Sequence, residues 1–312
     1  MKNTQSNHLP AEFIQVINDA AALLDNALGQ NHDQRALTAE PLPSLLEQCE
    51  QLLTEASATD REPIRTIHHL ACTGGTLITK CLAAMPNTQV LSEVDPLSTL
   101  HMRQPKPQFA PTDLIRLLRY SARTVDDPLL IDIFLGGITA LYEALVERGE
   151  RLIVRDHAHS LFCTDQFHTG RPSLKEMLVK HFPVRSVVTV RHPLDSFLSL
   201  KAKGWIHFDP PTLDEYCIRY TAFLDAYRPS TIVRYEDFVA SPEGEMKKLC
   251  DLLDLPYDDA FLSTFNVFRL TGDSGRSGEE IQPRPRRPVS DELNSEISAS
   301  QKYQSLCTRL GY

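Results

Sequence analysis

Thr66-Ile-His-His-Leu-Ala-Cys-Thr-Gly-Gly-Thr-Leu-Ile-Thr-Lys-Cys-Leu82 decides the fold, because an apolar strand runs into a Gly-rich turn and then directly into an amphipathic helix. The first N–H groups of such a helix have no partner within it, and the macrodipole adds about half a positive charge there. A phosphate or sulfate is favoured at that spot. The loop is not a Walker A loop, G-x-x-x-x-G-K-[ST], because Gly75 is followed by Thr76 with no lysine between. The stretch predicts an anion cradle over Cys72, Thr73, Gly74, Gly75, Thr76 and Leu77, and argues against an ordinary ATPase, GTPase or P-loop kinase.

Outward from the cradle, short apolar runs alternate with amphipathic stretches. Strands are expected over Arg65–Ala71, Gln89–Leu91, Arg151–Arg155, Arg185–Val190 and Thr231–Tyr235. Helices are expected from Thr76, over Thr112–Ala122, Leu129–Glu147, Ser173–His181, Leu194–Lys201 and Thr212–Ala226, and through Ser290–Leu310. This alternation predicts an α/β fold, a P-loop-type parallel sheet flanked by helices on both faces. Two further helical patterns, Ala11–Leu28 and Pro43–Ala56, suggest an N-terminal helical extension over residues 1–60, with the α/β domain at 61–312.

A net charge of −9 argues against nonspecific nucleic-acid binding while leaving room for a local basic cleft. Seven scattered cysteines without a C-x-x-C pair suggest neither a disulfide framework nor a zinc knuckle. There is no run of eighteen apolar residues and no apolar leader, so no transmembrane or secretory segment is expected and a cytoplasmic enzyme is the default.

In parallel sheets, ligands sit beyond the carboxyl ends of the strands. Arg191-His-Pro-Leu-Asp-Ser-Phe-Leu-Ser199 places a guanidinium at a strand end and a hydroxyl two helical turns later, so Arg191 and Ser199 can reach one phosphate. Arg155-Asp-His-Ala-His-Ser160 puts His157 and His159 on one side of an extended segment, and an imidazole suits a general base near neutral pH. An H-x-H metal site would lack an obvious third ligand. Glu93, after the second strand, is an alternative base. Glu236 and Asp237 read as architectural. The tail loop, Gly272-Asp-Ser-Gly-Arg276 and Arg284-Pro-Arg-Arg287, can bring N–H groups at Gly275 and Arg276 and several guanidinium groups to an anion.

From Ile64 to Gly278 these motifs resemble the sulfotransferase family, which uses 3′-phosphoadenosine-5′-phosphosulfate (PAPS). Cys72-Thr-Gly-Gly-Thr-Leu77 is similar to its 5′-phosphosulfate loop, K-x-G-T-T-W or R-S-G-T-T-L, and Arg191 through Ser199 to its 3′-phosphate motif. Gly272–Arg276 stands roughly where the family has an R-K-G loop. The resemblance implies sulfuryl transfer from PAPS to a hydroxyl or amine of a small molecule, lipid or glycan, without a metal. It also implies His157 or Glu93 as base, with His157 preferred. The departure is Cys72, which falls on the family's loop lysine or arginine. Loss of such a charge donor costs about 3–4 kcal/mol of transition-state stabilisation. Lys80 or Arg276 is expected to substitute. The alternative is a catalytically impaired PAPS/PAP-binding protein acting as sensor or scaffold.

Overall fold

The computed structural model describes residues 44, 61–100, 102, 109–272 and 280–312. The expected N-terminal extension, apart from Ser44, lies outside them, as do Gly275 and Arg276. Residues from Arg61 onward belong to one unit, Asp60–Tyr312. Its chain runs β1 (Ile64–His69), α1 (Gly75–Ala83), β2 (Thr88–Val94), α2 (Leu114–Arg119), α3 (Asp127–Glu147), β3 (Arg151–Asp156), α4 (His159–Phe162), α5 (Leu174–Leu178), β4 (Val184–Val190) and α6 (Pro193–Lys203). It continues through α7 (Leu213–Ala226), β5 (Thr231–Arg234), α8 (Tyr235–Ala240), α9 (Pro242–Leu253), α10 (Phe261–Thr264), α11 (Asp291–Ala299) and α12 (Gln301–Leu310).

The five strands form a parallel sheet in the order β2-β3-β1-β4-β5. β1 is central, and the chain crosses from one side of it to the other between β3 and β4, which opens a crevice above its carboxyl end. Helices cover both faces. Ile67 and Val187 pack with Leu77, Ile78 and Leu82 of α1 and Met246 and Leu249 of α9. Val188 and Val190 face the opposite side, among Phe197 of α6 and Tyr216, Tyr220 and Phe223 of α7. Neighbouring valines on β4 thus serve different layers, as the two-residue period of a strand requires.

β1 is fully buried yet polar at four of its six positions, so the apolar strand expected here is corrected in composition. Arg65, Thr66 and His68 are met by other elements, and His69 Nδ1 lies 2.9 Å from Leu70 O while its buried Nε2 has no hydrogen-bond partner. Arg65 donates to the carbonyls of Leu253 and Asp254, both at 2.8 Å, closing the end of α9, and pairs with Glu62. His68 donates from Nδ1 to Asp156 (2.7 Å) and meets Thr66 Oγ1 at Nε2 (2.9 Å), while Thr66 meets Ser186 Oγ at 2.7 Å. The Tyr227 hydroxyl donates to the same Asp156 oxygen at 2.5 Å, and its ring stacks on His68.

Helix ends follow local capping chemistry. Ser173 forms a capping box with Glu176, which sets the start of α5 at Leu174; the helix ends at Leu178, short of the expected His181. The helix expected through Ser290–Leu310 is two helices. Ser300 breaks it, capping α12 through Tyr303 N and donating to Asp214. α3 is long and apolar enough to cross a membrane by length and composition. Its Leu135, Ile138, Tyr142 and Leu145 nevertheless pack in the layer that covers Ile64, Leu152 and Val154.

Arg65→Ala should lower unfolding free energy by about 1–3 kcal/mol, because the carbonyls of Leu253 and Asp254 lose their donor, while Glu62, partly exposed, keeps Arg151 at 3.7 Å. Urea denaturation of variant and parent measures the difference.

Candidate active site

Gly74 enters α1 in the left-handed region (φ 94°). A Cβ there would lie 2.5 Å from the Tyr235 ring, so the turn and the ring approach this closely only with glycine. α1 has no side-chain cap and no acidic residue in its first turn. Its opening N–H groups are therefore not taken up by a cap, and Gly74, Gly75, Thr76 and Leu77 line a cavity of about 1300 Å3. Thr73 does not line it. Its hydroxyl donates to Leu70 O at 2.7 Å and braces the turn from below. Lys80 lines the cavity from the last turn of α1.

Cys72, with φ 69°, stands in the same wall. Burial pushes its thiol up to about 11, partly offset by the fields of Lys203, Arg191 and Arg287, so it carries no charge near neutral pH. Arg191 leaves β4 beside it. The Tyr220 hydroxyl accepts from Arg191 N (3.0 Å) and donates to Arg191 O (3.1 Å), fixing the backbone where the side chain turns into the cavity. The guanidinium lies over the Tyr235 ring at 4.9 Å, 3.4 Å from Cys72 O and 3.5 Å from Ser199 Oγ. Its Nε is buried with no hydrogen-bond partner, an unmet donor that suits an anion. Arg191, Ser199 and the cradle are thus brought together, as the sequence implied.

The opposite wall is built around Glu93. A register shift between Leu91 and Val94 and a φ of 60° re-aim this residue from the strand edge into the cavity. Arg155 donates to its carboxylate, and His157 Nε2 and His69 Nε2 lie 3.5 and 3.9 Å from it. Arg155 also donates to Thr271 O at 2.9 Å, and Ser92 and Thr271 exchange two hydrogen bonds, which hold Thr271 against β2. His157 and Glu93, the two candidate bases, are therefore neighbours in one cluster.

His159 lies behind His157, with ring centroids 6.5 Å apart, and its other neighbour is His207 at 6.0 Å. Burial first, then the fields of His157 and His207, push its pKa down to about 3. His69 is lowered strongly for the same first reason, with Arg155 adding to the effect. Both are neutral at pH 7. Beyond the histidines, Arg116 and Arg119 of α2, Phe134 of α3 and Trp205 complete the wall. Arg284 and Arg287 line the cavity from the tail, which Arg286 ties to Asp195 at 2.7 Å. Glu236, expected to be architectural, accepts from His192 N at 3.1 Å and from the Tyr312 hydroxyl at 2.5 Å.

Lys203 and Tyr235 line the cavity and were not singled out from sequence. Lys203 follows Ser199 by four residues on one helix, a spacing that puts both on one face. Tyr235 had no comparable signal, because it meets Gly74 across 161 residues of chain. Among the described residues, no group of three or more His, Cys, Asp or Glu is placed to hold a metal ion.

A family model described as the sulfotransferase family matches residues 66–259, and the chain belongs to that family. Among solved structures, a sulfotransferase from Alicyclobacillus acidocaldarius shares 15% identity, covering 80% of this chain and 94% of its own, at a TM-score of 0.42. Mouse sulfotransferase SULT7A1 complexed with PAP shares 10% identity over 81% of this chain and 92% of its own, at a TM-score of 0.40. A search of curated protein sequences found no match.

His159 gives a pH signature. Its folded pKa lies below the unfolded value, so below pH 6.5 the unfolded chain binds the extra proton and stability falls with pH, by up to about 1.4 kcal/mol per unit for this group. His159→Gln should flatten part of the loss between pH 6.5 and 4 in urea titrations. An unchanged slope would remove His159 as its source.

Proposed function

We propose that this chain is a cytoplasmic, PAPS-dependent sulfotransferase. The observation that carries this reading is the uncapped start of α1 facing the same cavity as Arg191, whose buried Nε lacks a partner. Two anion-seeking groups lining one cavity suit a nucleotide whose ribose carries phosphates at both its 3′ and 5′ positions. The 5′-phosphosulfate belongs on the N–H groups from Gly74 to Leu77, and the 3′-phosphate on Arg191 and Ser199. About 1300 Å3 leaves room for an acceptor beside a nucleotide.

PAPS supplies an activated sulfuryl group, whose sulfur leaves the 5′-phosphate oxygen and joins the acceptor oxygen or nitrogen. The bonding electrons pass to the phosphate, and His157 takes the acceptor proton. Glu93 stabilises the imidazolium that forms, 3.5 Å from His157 Nε2. Arg155 neutralises that carboxylate, which favours His157 over Glu93 as the base. No metal is assigned a role. The acceptor is a small molecule, lipid or glycan presented from the side of Arg116, Arg119, Phe134 and Trp205. A second reading, a PAPS/PAP-binding sensor or scaffold, is favoured by the uncharged thiol of Cys72.

Calorimetric titration should show submicromolar binding of 3′-phosphoadenosine-5′-phosphate (PAP) to the full chain, and Arg191→Ala should abolish it. No PAP binding by the parent chain would refute the assignment. With PAPS and a reactive acceptor, His157→Ala should reduce kcat by about 10²–10⁴-fold while PAP affinity holds. Tight PAP binding with no sulfated product across an acceptor panel would instead favour the sensor.

A further inference from the structure

We propose that Lys203 supplies the positive charge that the cradle itself lacks, contacting the 5′-phosphate from the end of α6. This rests on the PAPS reading above. The cradle contains no cationic side chain from Cys72 to Leu77, yet the oxygen released in sulfuryl transfer gains negative charge. Helix N–H groups alone hold only about half a charge at that point. A cation placed at the growing charge acts without reorganisation in a site closed to water.

The geometry of α6 puts Lys203 where it can serve. Arg191 lies two residues before the first helical residue, Pro193, Ser199 stands about two turns after Arg191 and Lys203 one turn further on the same face, and all three line the cavity with Cys72. The helix then stops. Gly204 adopts a left-handed conformation (φ 65°), and Trp205 N donates back to Leu200 O at 3.0 Å, the closure that folds the chain under the last turn. This closure brings the Trp205 ring beneath Lys203, whose Nζ lies 4.9 Å from the ring centroid. The indole face attracts the ammonium and narrows the range of its flexible stem. Burial raises the Cys72 thiol, and the field of Lys203, with those of Arg191 and Arg287, opposes that rise, so the Lys203 charge is felt at the cradle wall.

The test compares two probes on the full chain by calorimetry. PAP carries both phosphates, and adenosine 3′-monophosphate lacks the 5′-phosphate. Lys203→Ala should weaken PAP about tenfold, the loss of one charge-assisted contact of about 1.4 kcal/mol, and leave adenosine 3′-monophosphate unchanged. Lys203→Arg should restore PAP affinity, and so should Cys72→Lys in the Lys203→Ala background, because it places an ammonium in the cradle wall. Unchanged PAP affinity in Lys203→Ala, or an equal loss for both probes, would overturn the proposal while leaving the nucleotide assignment standing. Failure of the parent chain to bind PAP would overturn both.

Discussion

A strand with four polar side chains can occupy the centre of a buried sheet only if each is met, and this requirement organises the molecule around β1. Arg65 reaches down to α9, Thr66 across to β4, and His68 to Asp156 on β3, so three elements are fixed to one strand by directed contacts. Apolar packing alone would tolerate small slips between these layers, whereas hydrogen bonds in a low-dielectric interior do not. The strand therefore leaves the sheet at a defined place. His69, Leu70 and Thr73 then shape the turn that aims α1 at the cavity.

The order of strands and helices was legible because hydrophobic period and glycine placement are local signals. The cradle and the Arg191–Ser199 pair were legible for the same reason, since each lies within one stretch of chain. What was not legible depends on distant contacts. The neutral state of His159 follows from burial against residues around 207, and the burial of Arg65 depends on carbonyls 188 and 189 residues away. Glu93 was found by its strand-end position. Its pairing with Arg155 and His157 needed the register shift in β2, which no sequence period announces. The break at Ser300 was missed because its partner, Asp214, lies in another helix.

Charge is distributed unevenly. The chain is acidic overall, with a net charge of −9, yet Lys80, Arg116, Arg119, Arg191, Lys203, Arg284 and Arg287 all line one cavity. Such a basic cleft in an acidic surface draws a multiply charged anion to one place and repels nucleic acid elsewhere. Within the cleft the acids are mostly engaged. Glu93 faces Arg155, and Asp95 takes a two-pronged contact from Arg171 at 2.7 and 2.8 Å, so they subtract little from the field at the cradle.

β1 also bears on how the chain survives its own synthesis. It pairs with β3 from Arg65↔Ile153 and with β4 from Ile64↔Val184, so one edge stays open until residues near 155 have been made and the other until residues near 190. Open strands recruit one another, and parallel sheets with such long separations close slowly. A strand of Val and Ile at this position would spend that interval as an adhesive surface. Arg65, Thr66, His68 and His69 keep it hydrated until the partners that satisfy them arrive, so the polarity that fixes the native sheet also guards the nascent chain against aggregation.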